Sequence, residues 1–180
     1  MNVRETEIPG VLIVEPSLLT DARGWFMEFF NASTFAAHGL PVEFAQDNQS
    51  LSKRDVVRGL HYQLERPQGK LVRCIRGSIL DVAVDIRRSS PTFGRSVAVE
   101  LSAENRLMLW IPPRFAHGFR TLSKEAEVLY KCTTLWHAAS DRILLWNDPD
   151  LAIDWGIEAP TLSEKDAAGR PLRNAEIFES

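Results

Sequence analysis

The sequence has no excess of basic residues, because 21 Lys and Arg stand against 24 Asp and Glu, for a net charge of −3 over 180 residues. Nucleic-acid-binding domains carry a basic patch or stripe that meets the phosphate backbone. We therefore exclude nucleic acid as a partner. An anionic ligand would have to be held by a local cluster of Arg and Lys side chains.

Cysteines and long apolar runs are also scarce. Cys74 and Cys132 are the only two cysteines and lack CxxC spacing, so we expect both to be reduced and to lie in the core. No apolar run reaches the ~18 residues of a membrane span. The N-terminus is polar and acidic, unlike a signal peptide. These absences predict a cytoplasmic protein that has no membrane partner.

The sequence contains no internal repeat, low-complexity tract or Pro- or Gly-rich linker. Its length of 180 residues is typical of one domain, and its 44% apolar content is ordinary for a globular core. We interpret residues 1–180 as a single domain, with a less regular segment from about Asp148 onward.

Alternation of apolar and polar residues dominates the middle of the chain. Residues 80–87 are apolar at every second position, which predicts a strand with one apolar face. Residues 96–101 and 106–111 alternate in the same way, and the turn-forming residues 102–105 between them predict a β-hairpin. Further strands are predicted at Val11–Glu15, Trp25–Phe30, Phe44–Ser50, Leu71–Ile75 and Val128–Thr133.

Helix signals are few. Asn31–His38, followed by Gly39, has the cap and terminator of a short helix, and Ser163–Ala168 offers another turn or two. Many short strands with regular turn signals are typical of an all-β sandwich or barrel. We therefore predict an all-β fold with a few short helices.

The densest cluster of polar residues lies between Gln46 and Lys70. On a regular strand, His61 and Gln63 share one face and Arg58 lies on the other. An isolated histidine is most often a hydrogen-bonded core residue, but here Arg58 and Lys70 are close in sequence. Together these residues favour a cationic pocket on the inner face of a barrel.

A second cluster spans residues 110–119, where two prolines should end a strand and place His117 near the mouth of a barrel. The two clusters resemble the paired motifs of a cupin, a small jelly-roll barrel whose metal-binding members carry His-x-His, a Glu and a later His. Gln63 occupies the position of the second His, and the expected Glu falls near Pro67–Gln68. Because the ligand set is incomplete, we predict no metal and expect metal-free acid–base chemistry.

An ordered set of motifs covers the chain from about Ile8 to Leu172 and closely resembles the dTDP-4-dehydrorhamnose 3,5-epimerase family. The motifs are DARGWFME from Asp21, QDNQS from Gln46, RGLHYQ from Arg58, QGKLVRC from Gln68, DVAVDIR from Asp81, SPTFG from Ser90, WIP from Trp110, FAHGF from Phe115, YK from Tyr130, WNDP from Trp146 and LSEKD from Leu162. The resemblance implies a metal-free cupin-type double-stranded β-helix that needs no cofactor. It also implies a homodimer with exchanged strands and a cytoplasmic role in making activated deoxysugars.

The resemblance also implies catalytic roles. His61 matches the general base, and Asp166 matches the carboxylate that orients it. Lys70 matches the cation beside the ketone oxygen, and Tyr130 matches the acid on the far face of the sugar. On the residues alone, Tyr130 could equally place its hydroxyl at a barrel rim, and Asp166 could be a helix-start carboxylate.

Binding residues follow by the same resemblance. Arg23 and Arg58 match contacts to the diphosphate and sugar of a dTDP-sugar, and His117 is expected to order the pocket near the sugar. Other expected binding residues are Phe26, Glu28, Gln46 and Asn48 around the thymidine, some of them contributed across the dimer.

Residues 132–141 depart from the family pattern. Trp136 stands where the family often has a second tyrosine, Ala138 replaces a proline, and Asp141 replaces a glutamate. Trp136 keeps an aromatic face but loses a phenol, so epimerisation at C3 alone or C5 alone stays open. A catalytically silent cupin that binds a nucleotide sugar is a further alternative, whereas Gln63 argues against a metal-dependent oxygenase.

Overall fold

The computed structural model describes residues 1–179, which form thirteen strands and two short α-helices. The strands are β1 Asn2–Glu5, β2 Leu12–Glu15, β3 Leu18–Asp21, β4 Gly24–Met27, β5 Gln46–Lys53, β6 Val57–Gln63, β7 Lys70–Arg76, β8 Ser78–Asp85, β9 Ser96–Ser102, β10 Met108–Ile111, β11 Phe115–Thr121, β12 Glu125–Cys132 and β13 Asp141–Ile143. The helices are α1 Ala32–Ala37 and α2 Glu164–Ala167, and short 3-10 turns lie at Ala138–Ser140 and Leu172–Asn174. The predicted all-β fold with a few short helices is confirmed.

Two antiparallel sheets form the body of the protein. The first has the order β1-β2-β10-β7-β12-β5, and the second has the order β13-β6-β11-β8-β9. Consecutive strands such as β7 and β8 lie in different sheets, so the chain crosses between the sheets at Gly77. Gly77 adopts a φ of 72°, a conformation that glycine reaches without steric cost. Strands β3 and β4 pair only with each other, as a separate hairpin.

The main core lies between the two sheets. Val72, Leu109 and Val128 of the first sheet pack with Ile79 and Leu101 of the second. A second cluster forms where the C-terminal segment covers the outer face of the second sheet, and a third forms where α1 covers the outer face of the first. Both faces of each sheet are therefore partly covered, which explains why β10 is buried at all four positions.

The strand predictions are largely confirmed, with shifts at the ends. The predicted Trp25–Phe30 strand ends at Met27, and the predicted Phe44–Ser50 strand runs instead over Gln46–Lys53. Asn31 caps α1 as expected by accepting from the Thr34 amide. Both cysteines are free and buried, also as predicted.

The predicted hairpin between β9 and β10 is wrong. The two strands lie in different sheets: β9 pairs with β8, and β10 pairs with β2 and β7. The turn itself exists, since the Asn105 side chain accepts from the Ser102 amide and the Ser102 hydroxyl accepts from the Asn105 amide. The turn residues therefore predicted correctly that the chain reverses here, but they did not predict which strands pair with β9 and β10.

The polar face of β8 is also buried, contrary to the one-sided pattern predicted for residues 80–87. Asp81 and Asp85 are fully buried. Asp85 is satisfied by Arg87, Ser90 and Thr92, whereas Asp81 faces the interior and pairs with His117. None of the helices formed by residues 1–179 is long and apolar enough to cross a bilayer.

Candidate active site

A cavity of about 430 Å³ opens between the two sheets, a size typical of small-molecule sites. Residues that line it include Gln46, Asn48, His61, Gln63, Gln68, Lys70, Tyr130, Trp136, Asp141 and Lys165. These residues come from β5, β6, β7, β12, β13, α2 and the loops beside them. The fold therefore brings together polar residues that are up to about 120 positions apart in the sequence.

His61 and Asp166 form a close pair in this cavity. His61 lies on β6, and its Nε2 is 2.6 Å from Oδ1 of Asp166. The His61 side chain is 36% exposed and the Asp166 side chain only 6% exposed. The imidazole is therefore open to the cavity on one side and held from behind on the other.

Asp166 is itself fixed by the first turn of α2. Ser163 caps this helix by accepting from the Asp166 amide, and its hydroxyl donates to Asp166 Oδ2 at 2.7 Å. Burial alone raises the pKa of Asp166, but hydrogen bonds from His61, Ser163 and the Gly59 amide together lower it below the ordinary value. Asp166 is therefore a carboxylate at neutral pH.

The ionised state of Asp166 determines the tautomer of His61. A carboxylate can only accept, so Nε2 of His61 carries the hydrogen and donates it to Asp166. In the neutral imidazole the lone pair then lies on Nδ1. This is the arrangement in which a buried carboxylate orients a general base.

Lys70 and Tyr130 lie on the other sheet, on neighbouring strands β7 and β12. Burial is the main influence that lowers the pKa of Lys70, partly offset by Cys132, Asp141 and Asp81. Burial is also the main influence that raises the pKa of Tyr130. The phenol therefore keeps its proton well into the alkaline range, as a proton donor requires.

His117 forms a second imidazole–carboxylate pair, with its Nε2 2.7 Å from Oδ1 of Asp81. The prediction that His117 lies near the barrel mouth is wrong: its side chain is 7% exposed, in the middle of β11. It is the register partner of His61, and its ring centroid is 6.5 Å from that of Tyr130. Burial lowers the pKa of His117 more than Asp81 raises it.

Arg58 lies on the same face of β6 as His61, which contradicts the predicted alternation. His61 pairs with His117, but Arg58 pairs with Phe119, so three steps along β6 match two along β11. This bulge reverses the side-chain parity between Arg58 and His61. Arg58 consequently points toward the facing sheet, where its Nε donates to Ser52 of β5 at 2.9 Å. It is nevertheless exposed and is not among the residues that line the cavity.

Two glycines make the bulge possible. Gly59 has a φ of 109°, and a Cβ built there would lie 2.6 Å from the Gly118 Cα and the His117 carbonyl oxygen. A Cβ on Gly118 would lie 2.6 Å from the Arg58 carbonyl oxygen. The backbones of β6 and β11 thus touch at a point where neither strand can carry a side chain.

The rim of the cavity contains a residue that the sequence reasoning missed. Lys165 donates to Asp141 Oδ2 at 2.6 Å, and the indole N–H of Trp136 donates to the same oxygen at 3.1 Å. Lys165 lies directly before Asp166 in the Ser-Glu-Lys-Asp motif, which is the signal that could have identified it. It adds a second lysine to a cavity that already contains Lys70.

The residues expected to bind the nucleotide are divided between two places. Gln46 and Asn48 line the cavity and are hydrogen-bonded to each other at 2.9 Å. Arg23 and Phe26 instead line a groove on the β3–β4 hairpin that shares no residue with the cavity, and Glu28 follows that hairpin as an exposed residue. Within one chain, the structure does not bring these three residues to His61.

The fold and the cavity define the class of protein as a cupin-type enzyme with a paired histidine and carboxylate. The family model for dTDP-4-dehydrorhamnose 3,5-epimerase matches residues 5–174. The chain belongs to this family, which confirms the resemblance seen in the sequence. It is therefore an isomerase of the epimerase type, and the alternative of a silent binding protein is not retained.

Individual relatives agree with the family model. The dTDP-4-dehydrorhamnose 3,5-epimerase of Shigella flexneri is 54% identical over 180 residues, which cover 99% of both chains. The crystal structure of a Legionella pneumophila epimerase in complex with dTDP-4-keto-L-rhamnose is 45% identical, with a TM-score of 0.96 over 99% of this chain and 98% of that one. A 3′-monoepimerase of Streptomyces bikiniensis, in complex with dTDP-quinovose, is 34% identical, with a TM-score of 0.87 over 93% and 86% of the two chains.

No group of three or more His, Cys, Asp or Glu side chains within residues 1–179 is arranged so that it could hold a metal ion. The side-chain amide of Gln63, at the position of a cupin metal ligand, is hydrogen-bonded to backbone groups at both its oxygen and its nitrogen. Its oxygen is therefore not directed at a shared point with His61. The absence of a metal from the reaction stays a prediction.

Proposed function

We propose that this chain epimerises C3 and C5 of dTDP-4-dehydro-6-deoxy-D-glucose to give dTDP-4-dehydro-L-rhamnose. The observation that carries the proposal is the placement of His61 and Tyr130 on facing sheets of one cavity. Inversion of a carbon requires a base on one face of the sugar ring and an acid on the other. The position of the two side chains on facing sheets supports this arrangement.

In the first step, Nδ1 of His61 takes the proton from the carbon beside the C4 ketone. The electron pair of that C–H bond forms an enolate, whose negative oxygen is stabilised by the ammonium of Lys70. The imidazolium that results is stabilised by Asp166, which accepts from Nε2 at 2.6 Å.

In the second step, the Tyr130 phenol donates its proton to the opposite face of the same carbon. The enolate electron pair forms the new C–H bond, the C4 ketone is restored and the configuration is inverted. The resting enzyme returns when the imidazolium gives a proton to water and the phenolate takes one from water. The same cycle then acts on the other carbon that flanks the ketone.

The rest of the cavity fits the nucleotide and sugar. Lys165 at the rim and Arg58, which is exposed outside the cavity lining, supply positive charge for the diphosphate. Gln46 and Asn48 supply amides for the base. Trp136 offers an aromatic face at the rim, where it is 58% exposed. Asp141 positions the indole, and His117 lies beside Tyr130 at the sugar end.

We also propose a homodimer in which the β3–β4 hairpin supplies Arg23, Phe26 and Glu28 to the cavity of the second copy. The hairpin is paired with no other strand and exposes Leu19 and Phe26 at 66% and 65%. Exposed apolar side chains on an isolated hairpin favour an interface. Light scattering on the purified protein, together with the effect of Phe26→Ala on its mass, tests this interface.

The proposed reaction is tested by NMR of the keto-sugar nucleotide in deuterated water. We expect solvent deuterium to enter C3 and C5, because each proton taken by His61 is replaced by a proton that has exchanged with solvent. The coupling constants of the product report the configuration at each carbon. No deuterium at either carbon would overturn the proposal.

Trp136 favours a second candidate, in which only one of the two carbons is inverted. Its indole nitrogen is held by Asp141 at 3.1 Å, whereas the family often places a phenol at this position. A different aromatic group at the rim changes how the sugar is seated. Deuterium at C3 alone or at C5 alone in the same NMR experiment would select this candidate.

The fall of the rate at high pH should reveal the loss of the proton from the Lys70 ammonium. Above its pKa the amine is neutral and no longer stabilises the enolate, so the rate falls as pH rises. Because burial lowers the pKa of Lys70 below the ordinary 10.5, the fall should begin at a lower pH than for an exposed lysine. Burial raises the pKa of Tyr130, so loss of the phenol proton would lower the rate only at a higher pH than for an exposed tyrosine.

Two variants test whether Lys70 is the group that causes the fall in rate at high pH. Lys70→Met should lower kcat by about 10²- to 10³-fold, and Lys70→Arg should remove the alkaline limb because arginine keeps its charge. Lys124→Arg, at an exposed loop position, is the matched control. A limb that persists unchanged in Lys70→Arg would assign it to another group.

A further inference from the structure

The loop of residues 134–137, which carries Trp136, is held by glutamine side chains. This loop lies between the end of β12 and the short 3-10 turn at Ala138–Ser140, and it forms neither helix nor strand. Leu135 and Trp136 are 57% and 58% exposed, so packing against the core does not fix them. Its backbone polar groups must find partners outside regular secondary structure.

Gln63 supplies two of these partners. It is the last residue of β6 and is only 3% exposed. Its Oε1 accepts from the His137 amide at 2.7 Å. Its Nε2 donates to the Leu135 carbonyl at 3.4 Å and to the Arg66 carbonyl at 2.9 Å, which joins this loop to the one that follows β6.

Two further glutamines, Gln68 and Gln46, also form hydrogen bonds with the backbone of this loop. Gln68 Nε2 donates to the Thr134 carbonyl at 2.8 Å, and Gln46 Oε1 accepts from the Trp136 amide at 2.8 Å. Each of the four consecutive residues 134–137 therefore has one backbone group bound by a glutamine side chain. The three glutamines come from different parts of the cavity wall.

We propose that Gln63 is a positioning residue for substrate binding, which, together with Gln68, holds loop 134–137 so that Trp136 stays over the mouth of the cavity. The inference rests on the proposed function, because it takes Trp136 to be a contact of the nucleotide sugar. A loop that is already ordered loses less conformational entropy when the ligand binds. Gln63 therefore acts on affinity and not on proton transfer.

The position of Gln63 explains why an amide is needed there. The side chain must accept from an N–H and donate to two carbonyls, and only an amide does both. Methionine has nearly the same shape but replaces the amide by a thioether and a methyl group. Gln63→Met thus removes the hydrogen bonds without adding a charge beside His61.

The test compares Gln63→Met with Gln49→Met. Gln49 is on β5 in the other sheet, where its side chain donates to Glu127 of β12 and not to the loop. For Gln63→Met we expect KM for the keto-sugar nucleotide to rise about tenfold and kcat for solvent deuterium exchange to change less than about threefold. Gln49→Met should leave both constants unchanged.

Amide hydrogen exchange, measured by mass spectrometry on the same proteins, supplies a second readout. In Gln63→Met, exchange should accelerate in the peptide that contains residues 134–137 and stay unchanged in the peptide that contains β7. Gln68→Met should raise KM in the same direction. The double variant, with both Gln63→Met and Gln68→Met, should lose less binding free energy than the sum of the losses in the two single variants, because both residues hold one loop.

Three outcomes would overturn the inference. One is an unchanged KM and unchanged loop exchange in Gln63→Met. Another is a fall in kcat at constant KM, which would place Gln63 in the chemistry. The third is accelerated exchange throughout the chain, which would make Gln63 a general stability residue. Failure of the proposed function is separate, because the wild-type protein itself would then show no deuterium exchange.

Discussion

Replacement of His61 by asparagine should lower the rate of solvent deuterium exchange into the keto-sugar by about 10³- to 10⁴-fold. Asparagine is polar and uncharged but shorter than histidine, so it loses the contact of Nε2 with Asp166, and it cannot take a proton from carbon. The measurement is NMR of the sugar in deuterated water, with exchange followed separately at C3 and C5. Affinity for dTDP, measured by calorimetry, should stay within about threefold because the proposed mechanism has His61 act on the sugar carbons and not on the base.

His38→Asn is the matched control for this variant. His38 is an exposed residue at the end of α1, and its ring is hydrogen-bonded to the Thr34 carbonyl of its own helix. The control should exchange deuterium at the wild-type rate. If His61→Asn also exchanges at that rate, the base is a different group, and the His61–Asp166 pair has a structural role.

Replacement of Tyr130 by phenylalanine should separate exchange from inversion. His61 can still remove the proton, and its imidazolium can exchange with solvent and return deuterium to the same face. We therefore expect deuterium to enter the sugar with retained configuration, while the inverted product falls by about 10²-fold or more. NMR reports both quantities in one experiment, since the isotope content and the coupling constants are independent.

Tyr62→Phe is the control, because Tyr62 is the only other tyrosine and its hydroxyl donates to the Glu176 carbonyl on the outer side of β6. Loss of that hydrogen bond should lower the free energy of unfolding by about 1 kcal/mol and leave inversion intact. An inverted product formed at the wild-type rate by Tyr130→Phe would remove the phenol from the acid role. A loss of exchange equal to the loss of inversion would place it in an earlier step.

Periodicity in the sequence predicted the all-β class and most strands, because alternation of apolar residues follows directly from the geometry of a strand. It could not predict which sheet a strand joins. The turn at 102–105 has the chemistry of a hairpin turn, yet β9 and β10 pair with other strands. Pairing is decided by packing across the core, where Leu101 and Leu109 belong to one buried cluster, and such packing leaves no local signal.

The face of Arg58 was mispredicted for a related reason. Strict alternation places it opposite His61, but one extra residue in β6 brings both to the same face. A bulge of this kind depends on the close approach of Gly59 and Gly118, which belong to strands about 60 residues apart. The glycines are visible in the sequence, but their contact is not.

The residues of the candidate site also differ in whether a local pattern in the sequence reveals them. His61 and Lys70 stand out in the sequence because polar residues cluster around them. Asp166 is 105 residues from His61, and family resemblance alone linked the two. Lys165 was missed although it directly precedes Asp166 in the Ser-Glu-Lys-Asp motif, because its place at the rim follows from its contact with Asp141.

Because the backbones meet at Gly59 and Gly118, no residue with a side chain fits at either position. Even an alanine methyl group would lie 2.6 Å from the opposite backbone, so the crossing of the two strands dictates the residue. Neither glycine bears a functional group, yet together they decide on which side of the strand the guanidinium emerges. In this protein, the absence of two side chains thus sets the direction of a charged one.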